Sequence, residues 1–309
     1  MDICDVAVVG GGPAGLNGAL MLARSRRSVI LIDTGQPRNA PAAAVHGFFT
    51  RDGTPPGDLL AVGRKEIAGY GARLVEGSVV GATVDGDRFR LTLADGSTIA
   101  ARRLLITTGL VDELPDVPGV RELWGDQVVH CPYCHGWEVR DQAIGVLASG
   151  PLATHQALLF RQLSDDVVLF SHTHPPSPDQ RADLAARGVR VLDAEVAALE
   201  TADGRLVGVR LTNGDLVARQ VVSVTPLYIA RSELLASLGV DLVEQPGVGV
   251  RVAADPTGRT NVPGVWVAGN VSDLSAQVAV AAAAGATAGA QINADLVLED
   301  VREAQTVST

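Results

Sequence analysis

Asp5-Val6-Ala7-Val8-Val9-Gly10-Gly11-Gly12-Pro13-Ala14-Gly15 is the stretch from which the architecture of this chain follows. It opens as a short apolar run of strand length and ends in a glycine turn. A helical stretch then runs to about Arg27, and a second apolar strand, 28–32, ends in Asp33. A strand, a glycine turn, a helix and a parallel strand closing on an acid make up the dinucleotide-binding fingerprint. Gly10 permits the tight turn and Gly12 lets the backbone approach a pyrophosphate, while Gly15 lets helix and strand pack closely. The helix that starts at Pro13 and Ala14 faces the phosphates with the partial positive charge of its N-terminus. Asp33 lies 18 positions beyond Gly15, suited to hydrogen-bonding a ribose.

Outward from this unit, 74–84 and 88–93 read as strands, with Ala94-Asp95-Gly96-Ser97 as a turn before another. Arg103-Leu104-Leu105-Ile106-Thr107-Thr108-Gly109 is a buried strand ending in glycine, and Leu114-Pro115-Asp116-Val117-Pro118-Gly119 is a break. A degraded copy of the opening unit begins at Ala143. Its strand leads to the turn Ala148-Ser149-Gly150-Pro151-Leu152-Ala153, a helix to about Ser164 and a strand over 167–170. A helix over 179–187 and short strands as far as Pro226 follow, and Glu244-Gln245-Pro246-Gly247 is a second break. The tail, Thr260-Asn261-Val262-Pro263-Gly264-Val265-Trp266-Val267-Ala268-Gly269-Asn270, is an apolar strand ending in Gly-Asn, with an Ala-rich helix from about Ala276. The expectation is a discontinuous nucleotide domain, 1–114 plus 244–309, with a second domain, 115–243, inserted in it.

Composition narrows the function. The chain has 309 residues, above the ~150 of one domain, so two domains are expected. Acidic residues outnumber basic ones 35 to 25, for a net charge of -10, which argues against a nucleic-acid partner. The longest apolar run, 278–290, is built of Ala and Gly and falls short of the ~18 residues of a membrane span. Met1-Asp2-Ile3-Cys4-Asp5 lacks the positive charges of a secretory signal, so the expected setting is cytoplasmic, with no membrane partner. Three cysteines are too few for a disulfide scaffold, and Cys4, at the start of a core strand, reads as a buried small hydrophobe.

The chemical centre is His130-Cys131-Pro132-Tyr133-Cys134-His135-Gly136-Trp137-Glu138. Two cysteines separated by two residues suit thiol-disulfide exchange, with proline restraining the ring and histidines able to take a thiol proton. Three other readings compete. Cys-x-x-Cys-His also spells haem attachment, which calls for export and often a distal Met, and the only methionines are Met1 and Met21. Two Cys and two His can hold zinc, but here they fall within six positions, tighter than the usual knuckle pairs. The cysteines can also be inert structural residues. Redox exchange is the favoured reading, and no metal site is expected.

Gly10 to Gly15, Asp33, Thr107 to Gly109, Cys131 to Cys134 and Thr260 to Asn270 together resemble, in order and over nearly the whole chain, the low-molecular-weight thioredoxin reductase family of flavoproteins. The resemblance implies an α/β fold of two Rossmann-like domains, each a three-layer ββα unit, one inserted in the other. It also implies FAD in the outer domain, the dithiol in the inserted one, and a homodimer. It assigns Gly10, Gly12, Pro13, Ala14, Gly15 and Asp33 to the adenosine and pyrophosphate of FAD. Thr34, Gly35, Gln36, Arg38 and Asn39 would wrap the ribose and flavin side. Gly269 and Asn270 stand where the family usually has Gly-Asp on the ribityl chain, and Gln277 and Val278 start the helix facing the flavin. Gly109, His46 and Val79 fall among expected FAD contacts, with an ordinary loop histidine as the other reading of His46. His46, Phe48 and Phe49 either line a substrate pocket or pack as an apolar loop beside the flavin. Cys134 would lie against the flavin and Cys131 would exchange with substrate. His135, where the family usually has an acid, would be the base, with His130 as its rival.

The inserted copy departs from the family. Its turn lacks the first glycine, and Ser171-His172-Thr173-His174-Pro175-Pro176 replaces the basic cluster that would hold a ribose 2'-phosphate. NADH or a different loop is the alternative for nicotinamide binding. The string Cys-Pro-Tyr-Cys-His-Gly-Trp-Glu, Asn270 and the missing basic cluster resemble the small-molecule dithiol oxidases of natural-product biosynthesis, the gliotoxin, holomycin and romidepsin type, most of all the dithiolopyrrolone-forming (holomycin) one. The implied activity is FAD-dependent oxidation of a small-molecule dithiol to an intramolecular disulfide, with O2 as acceptor and H2O2 as product. The alternatives are a thioredoxin-disulfide reductase using NADPH or ferredoxin, and a flavin-bound redox sensor.

Overall fold

A computed structural model describes residues 2–307. The strand Asp2–Val9 sits inside a seven-stranded sheet, pairing in parallel with Val29–Asp33 on one side and Thr98–Ile106 on the other. Val6 and Val8 face one hydrophobic cluster while Ala7 and Val9 face another, the two-residue alternation of a strand covered on both sides. On the Val6 side lie the helices Pro13–Arg24, Pro56–Gly69 and Val278–Val307. Phe89, Leu91 and Leu93 cover the other side from the antiparallel strands Val79–Asp85 and Arg88–Leu93. Helices, parallel sheet and β-meander form the expected three layers. The first and last helices pack so closely that a side-chain carbon on Gly285 would lie 2.0 Å from the Ala14 carbonyl oxygen.

The first helix ends at Arg24 rather than near Arg27, because Arg26 turns to a positive φ of 63°. The stretch 74–84, expected as one strand, is two. Arg73–Glu76 closes one end of the sheet beside Val29–Asp33, and Val79–Asp85 closes the other. Gly77, whose amide donates to the Asp33 carbonyl, lies between them.

The inserted segment carries a five-stranded parallel sheet in the spatial order Arg190–Leu192, Val167–Phe170, Ile144–Leu147, Val221–Val224, Val128–Val129. The helices Ala153–Phe160 and Pro178–Ala186 lie on one face, the latter opened by a Ser177–Gln180 capping box. A three-stranded antiparallel sheet, Val196–Ala202, Arg205–Leu211 and Leu216–Val217, lies on the other. Both helices stop before their expected ends at Ser164 and Arg187. The sheet ends matter for function, because Val128–Val129 delivers His130 and Cys131 at the carboxyl edge, where open α/β sheets bind ligands.

Two connecting strands, Leu110–Glu113 and Leu227–Ala230, pair antiparallel between the two units. Ala230, Leu234, Leu235 and Val240 then pack with Val9, Ile30 and Val265. The chain therefore returns to the first core by Leu227–Ala230, ahead of the boundary expected at Glu244. The expected boundary sits at a Pro-Gly turn, but packing changes at the antiparallel link. Among the described residues no helix is long and apolar enough to cross a membrane.

Candidate active site

The opening turn is built as its glycines demand. Gly10 adopts φ 106°, and a side-chain carbon there would lie 2.4 Å from the Thr107 carbonyl oxygen. One on Gly15 would lie 1.9 Å from the Gly10 carbonyl oxygen, so the helix sits directly on the turn. Thr107 locks both by donating its hydroxyl to the carbonyls of Val9 and Gly10, at 3.0 and 2.8 Å. At Gly12, by contrast, a side-chain carbon would meet nothing within 4 Å. It would point into a cavity of about 1260 Å³. This exceeds the ~1,000 Å³ upper end of ordinary ligand pockets, so it can house a dinucleotide and a small substrate together.

Of the expected cofactor residues, Gly10, Gly12, Pro13, Ala14, Asp33, Thr34, Gln36, Arg38, Asn39, His46, Val79, Gly109, Gly269, Asn270, Gln277 and Val278 all border this cavity. Gly15 and Gly35 do not border it. Gly15 serves helix packing, and Gly35 occupies a turn with φ 72°. Asp33 accepts from the Gly11 amide at 2.9 Å and from Arg64 at 3.2 Å, which fixes its carboxylate at the strand end. Arg38 makes a bidentate pair with Asp112, at 2.7 and 2.6 Å, and donates to Asn270 Oδ1 at 3.3 Å. Asn270 in turn donates to the carbonyls of Asp273 and Ala276, holding the approach to the helix Val278–Val307. Arg64, Asp112 and Tyr228, whose ring Arg38 overlies, carry no sequence motif and were not anticipated. Phe48 and Phe49 do not border this cavity. Phe48 lines a separate hollow beside the first helix, and Phe49 is 90% exposed.

The same cavity is bordered by His130, Cys131, Cys134 and His135. The cysteines form a disulfide with Cα atoms 5.2 Å apart, and Pro132–His135 is a single helical turn. Both imidazole nitrogens of His135 are buried without a hydrogen-bond partner, and burial lowers its pKa below the ordinary value. Glu138 opposes that shift and His46 adds to it. His46 bridges two carboxylates, with Nδ1 3.4 Å from Asp52 and Nε2 3.4 Å from Glu138. His130 is placed differently. It stacks on Trp124 with ring centroids 5.4 Å apart and meets the Tyr228 ring edge-on at 6.3 Å. Burial, with Arg38 nearby, lowers its pKa to about 4. A base that weak takes a thiol proton poorly, whereas His135 has two unengaged nitrogens at the dithiol.

The lowered His130 pKa has a thermodynamic consequence. The unfolded chain protonates this imidazole near pH 6.5 and the folded chain only near pH 4, so folding is opposed as pH falls through that window. Stability present above pH ~6.5 is expected to decline toward pH 4, and His130→Phe should flatten the decline. Urea unfolding midpoints across that range test this, and an unchanged slope in the variant would refute it.

The degenerate turn of the inserted unit lies against the second break of the chain. Ser149 donates to the Thr225 carbonyl at 3.2 Å, and a side-chain carbon on Gly247 would lie 2.9 Å from Pro151 Cδ. Arg181, from the helix Pro178–Ala186, does approach the loop 171–176, which the sequence reading missed. Its guanidinium is consumed, however, by Asp193 at 3.0 and 2.5 Å and by the Pro176 carbonyl at 3.2 Å.

The sequence profile described as pyridine nucleotide-disulphide oxidoreductase matches residues 4–286. The protein named thioredoxin reductase tcpT, from Claviceps purpurea, is 32% identical over 310 residues, covering 96% of each chain. The crystal structure of HlmI superposes with TM-score 0.93 at 47% identity, covering 98% of this chain and 96% of that one. An oxidoreductase from Agrobacterium tumefaciens superposes with TM-score 0.90 at 35% identity, covering 96% of this chain and 99% of the other.

Proposed function

Because the chain belongs to the pyridine nucleotide-disulphide oxidoreductase family, in its thioredoxin reductase-like branch, we propose that it is an FAD-dependent dithiol oxidase. The overall reaction is dithiol + O2 → disulfide + H2O2, which moves two electrons and two protons per turnover. The substrate in this reading is a small natural-product dithiol of the dithiolopyrrolone, holomycin-like type, made in antibiotic biosynthesis. The observation that carries it is the inserted unit, where the nucleotide turn abuts Gly247 and the nearby guanidinium is already paired with Asp193. A ribose 2'-phosphate would meet a carboxylate there rather than a free cation.

The residues at the cavity fit FAD. Gly12 leaves the backbone bare to a pyrophosphate, Asp33 would hold a ribose, and Arg38 and Asn270 brace the approach to the helix at Gln277 and Val278. Bound there, FAD would supply the two-electron acceptor that O2 recharges. The chain's own residues do the rest. A substrate thiol gives its proton to His135, and the thiolate attacks Cys131 Sγ, breaking the Cys131–Cys134 bond and releasing Cys134 as thiolate. The second substrate thiol then attacks the mixed disulfide at the substrate sulfur, its proton passing to Cys131, which leaves as a thiol. The product departs as a disulfide, with the electron pair left on the enzyme dithiol. Burial suits His135 to this role by keeping it neutral, and so ready to accept, at physiological pH.

The reading includes a homodimer working in the cytoplasm. Val280, Ala283, Thr287, Ala290, Ala294, Val297 and Val301 form an exposed stripe at alternating spacings of three and four along the helix Val278–Val307, the pattern of a helix seam. A monomeric mass by sedimentation would refute the dimer.

The alternative is a thioredoxin-disulfide reductase, favoured by the name of the Claviceps relative. Anaerobic titration of the yellow protein separates the two. The flavin is expected to stay oxidised with NADPH or reduced ferredoxin, bleach with a small dithiol, and recover in air with stoichiometric H2O2. Rapid bleaching by NADPH would replace the oxidase with the reductase.

A further inference from the structure

The helix Ala153–Phe160 follows the turn that a dinucleotide would use, yet one of its sides faces the dithiol cavity. Leu152, His155, Gln156 and Leu159 all border that cavity, and their spacing of i, i+3, i+4 and i+7 is one helical face. Gln156 ties this face to the redox turn. It is buried, its side-chain amide donates to the His130 carbonyl and, at 3.3 Å, to the Val224 carbonyl, and its oxygen accepts from Thr225 at 3.1 Å. Leu163, just beyond the helix, would lie 2.3 Å from any side-chain carbon on Gly136, so this end of the helix packs directly on the Cys131–Cys134 turn. Around Gln156 the face offers two leucines, Leu152 being 39% exposed, and one imidazole. Tyr133, between the cysteines, adds an aromatic ring that is 67% exposed and borders the same cavity. No residue of this wall carries a carboxylate, ammonium or guanidinium.

We propose that Leu152, His155 and Leu159, together with Tyr133, form the subsite for the body of the substrate, and that they select an uncharged, apolar small dithiol. This rests on the oxidase reading above and adds the specificity to it. The nucleotide helix of the inserted unit has become a substrate wall, with Gln156 as a positioning residue that keeps the wall in register with Cys131. Apolar substrate surface gains by leaving water against the two leucines, while a carboxylate would find no cation on this wall, the arginines of the cavity, Arg38, Arg231 and Arg251, standing on other elements. His155 gives the wall one hydrogen-bonding edge at its rim.

The test is anaerobic stopped-flow reduction of the FAD-loaded enzyme by two probes, 1,2-benzenedimethanethiol and meso-2,3-dimercaptosuccinate. The second-order rate constant for each is divided by its thiolate fraction. The wild-type ratio is expected to favour the apolar probe by at least about tenfold, the scale of pocket discrimination by a few methylenes. Leu159→Asn and Leu152→Asn should each lower that ratio by about tenfold or more. Because the ratio is taken within each variant, a general loss of activity cancels. Leu152 is partly exposed, so its variant remains readable if Leu159→Asn fails to fold. A wild-type preference for dimercaptosuccinate, or ratios within about twofold of wild type in the folded variants, would overturn the subsite and leave the oxidase standing. A flavin that neither dithiol bleaches would remove the oxidase reading and the subsite with it.

Discussion

Cys134→Ser and Cys131→Ser are each expected to abolish dithiol-driven flavin bleaching, a loss of at least about 10³-fold, because neither variant can hold the disulfide that accepts the substrate's electrons. The two losses should have different signatures. In Cys134→Ser, Cys131 remains as a thiol facing substrate. Offered the disulfide of a small monothiol, it should be trapped as a mixed disulfide, because no neighbouring sulfur remains to resolve it. In Cys131→Ser, Cys134 is expected to stay unmodified, since its role is to pass electrons inward. Intact-mass measurement reads both outcomes. An adduct on Cys134 in the second variant, with none on Cys131 in the first, would reverse the assigned roles. Residual bleaching in either variant would show that electrons bypass the disulfide.

His135→Gln is expected to slow flavin reduction by about 10²–10⁴-fold at neutral pH, the usual contribution of a positioned general base. The sign of the pH dependence follows from its surroundings. Burial lowers the His135 pKa, so the wild-type imidazole is neutral above its ordinary value near 6.5, and activity falls only once the pH drops below that value. In the variant no base remains, and the rate should rise with pH as free thiol ionises toward its pKa of ~8.5. The gap between wild type and variant should therefore narrow from pH 7 to pH 9. Single-turnover bleaching across that range checks it. A gap that stays constant with pH would mean that His135 shapes the turn without moving a proton. His130→Gln, in contrast, should keep a wild-type pH profile, because His130 is already neutral far below this range.

The parts legible in the sequence share one physical feature, which is that neighbouring residues suffice to specify them. Gly10 and Gly15 are required by a turn in which a side-chain carbon would strike backbone a few residues away or on the adjacent strand. Cys131 and Cys134 lie one helical turn apart, so their pairing needs only local backbone. The unbroken apolar run Val6 to Val9 already states that both faces of that strand are buried. The misjudged places depend on distant partners. The return to the first core at Leu227–Ala230 is decided by pairing with Leu110–Glu113, for which no turn residue signals. The stretch 74–84 divides because its two halves end on opposite edges of one sheet.

The sequence by itself determined two nested dinucleotide-type units, the glycine turn, and a dithiol flanked by histidines, because each is written in short-range spacing and side-chain type. Only the tertiary structure gives the two histidines different surroundings. His130 lies between Trp124 and Tyr228, whereas both His135 nitrogens are buried without a partner, and nothing in the string His130-Cys131-Pro132-Tyr133-Cys134-His135 distinguishes them. The tertiary structure alone also joined Arg38 to Asp112, 74 positions away, consumed Arg181 on Asp193, and turned the face of Leu152 and Leu159 toward the disulfide. These outcomes come from packing between segments remote in sequence, where charge pairing and burial are settled by which surfaces meet.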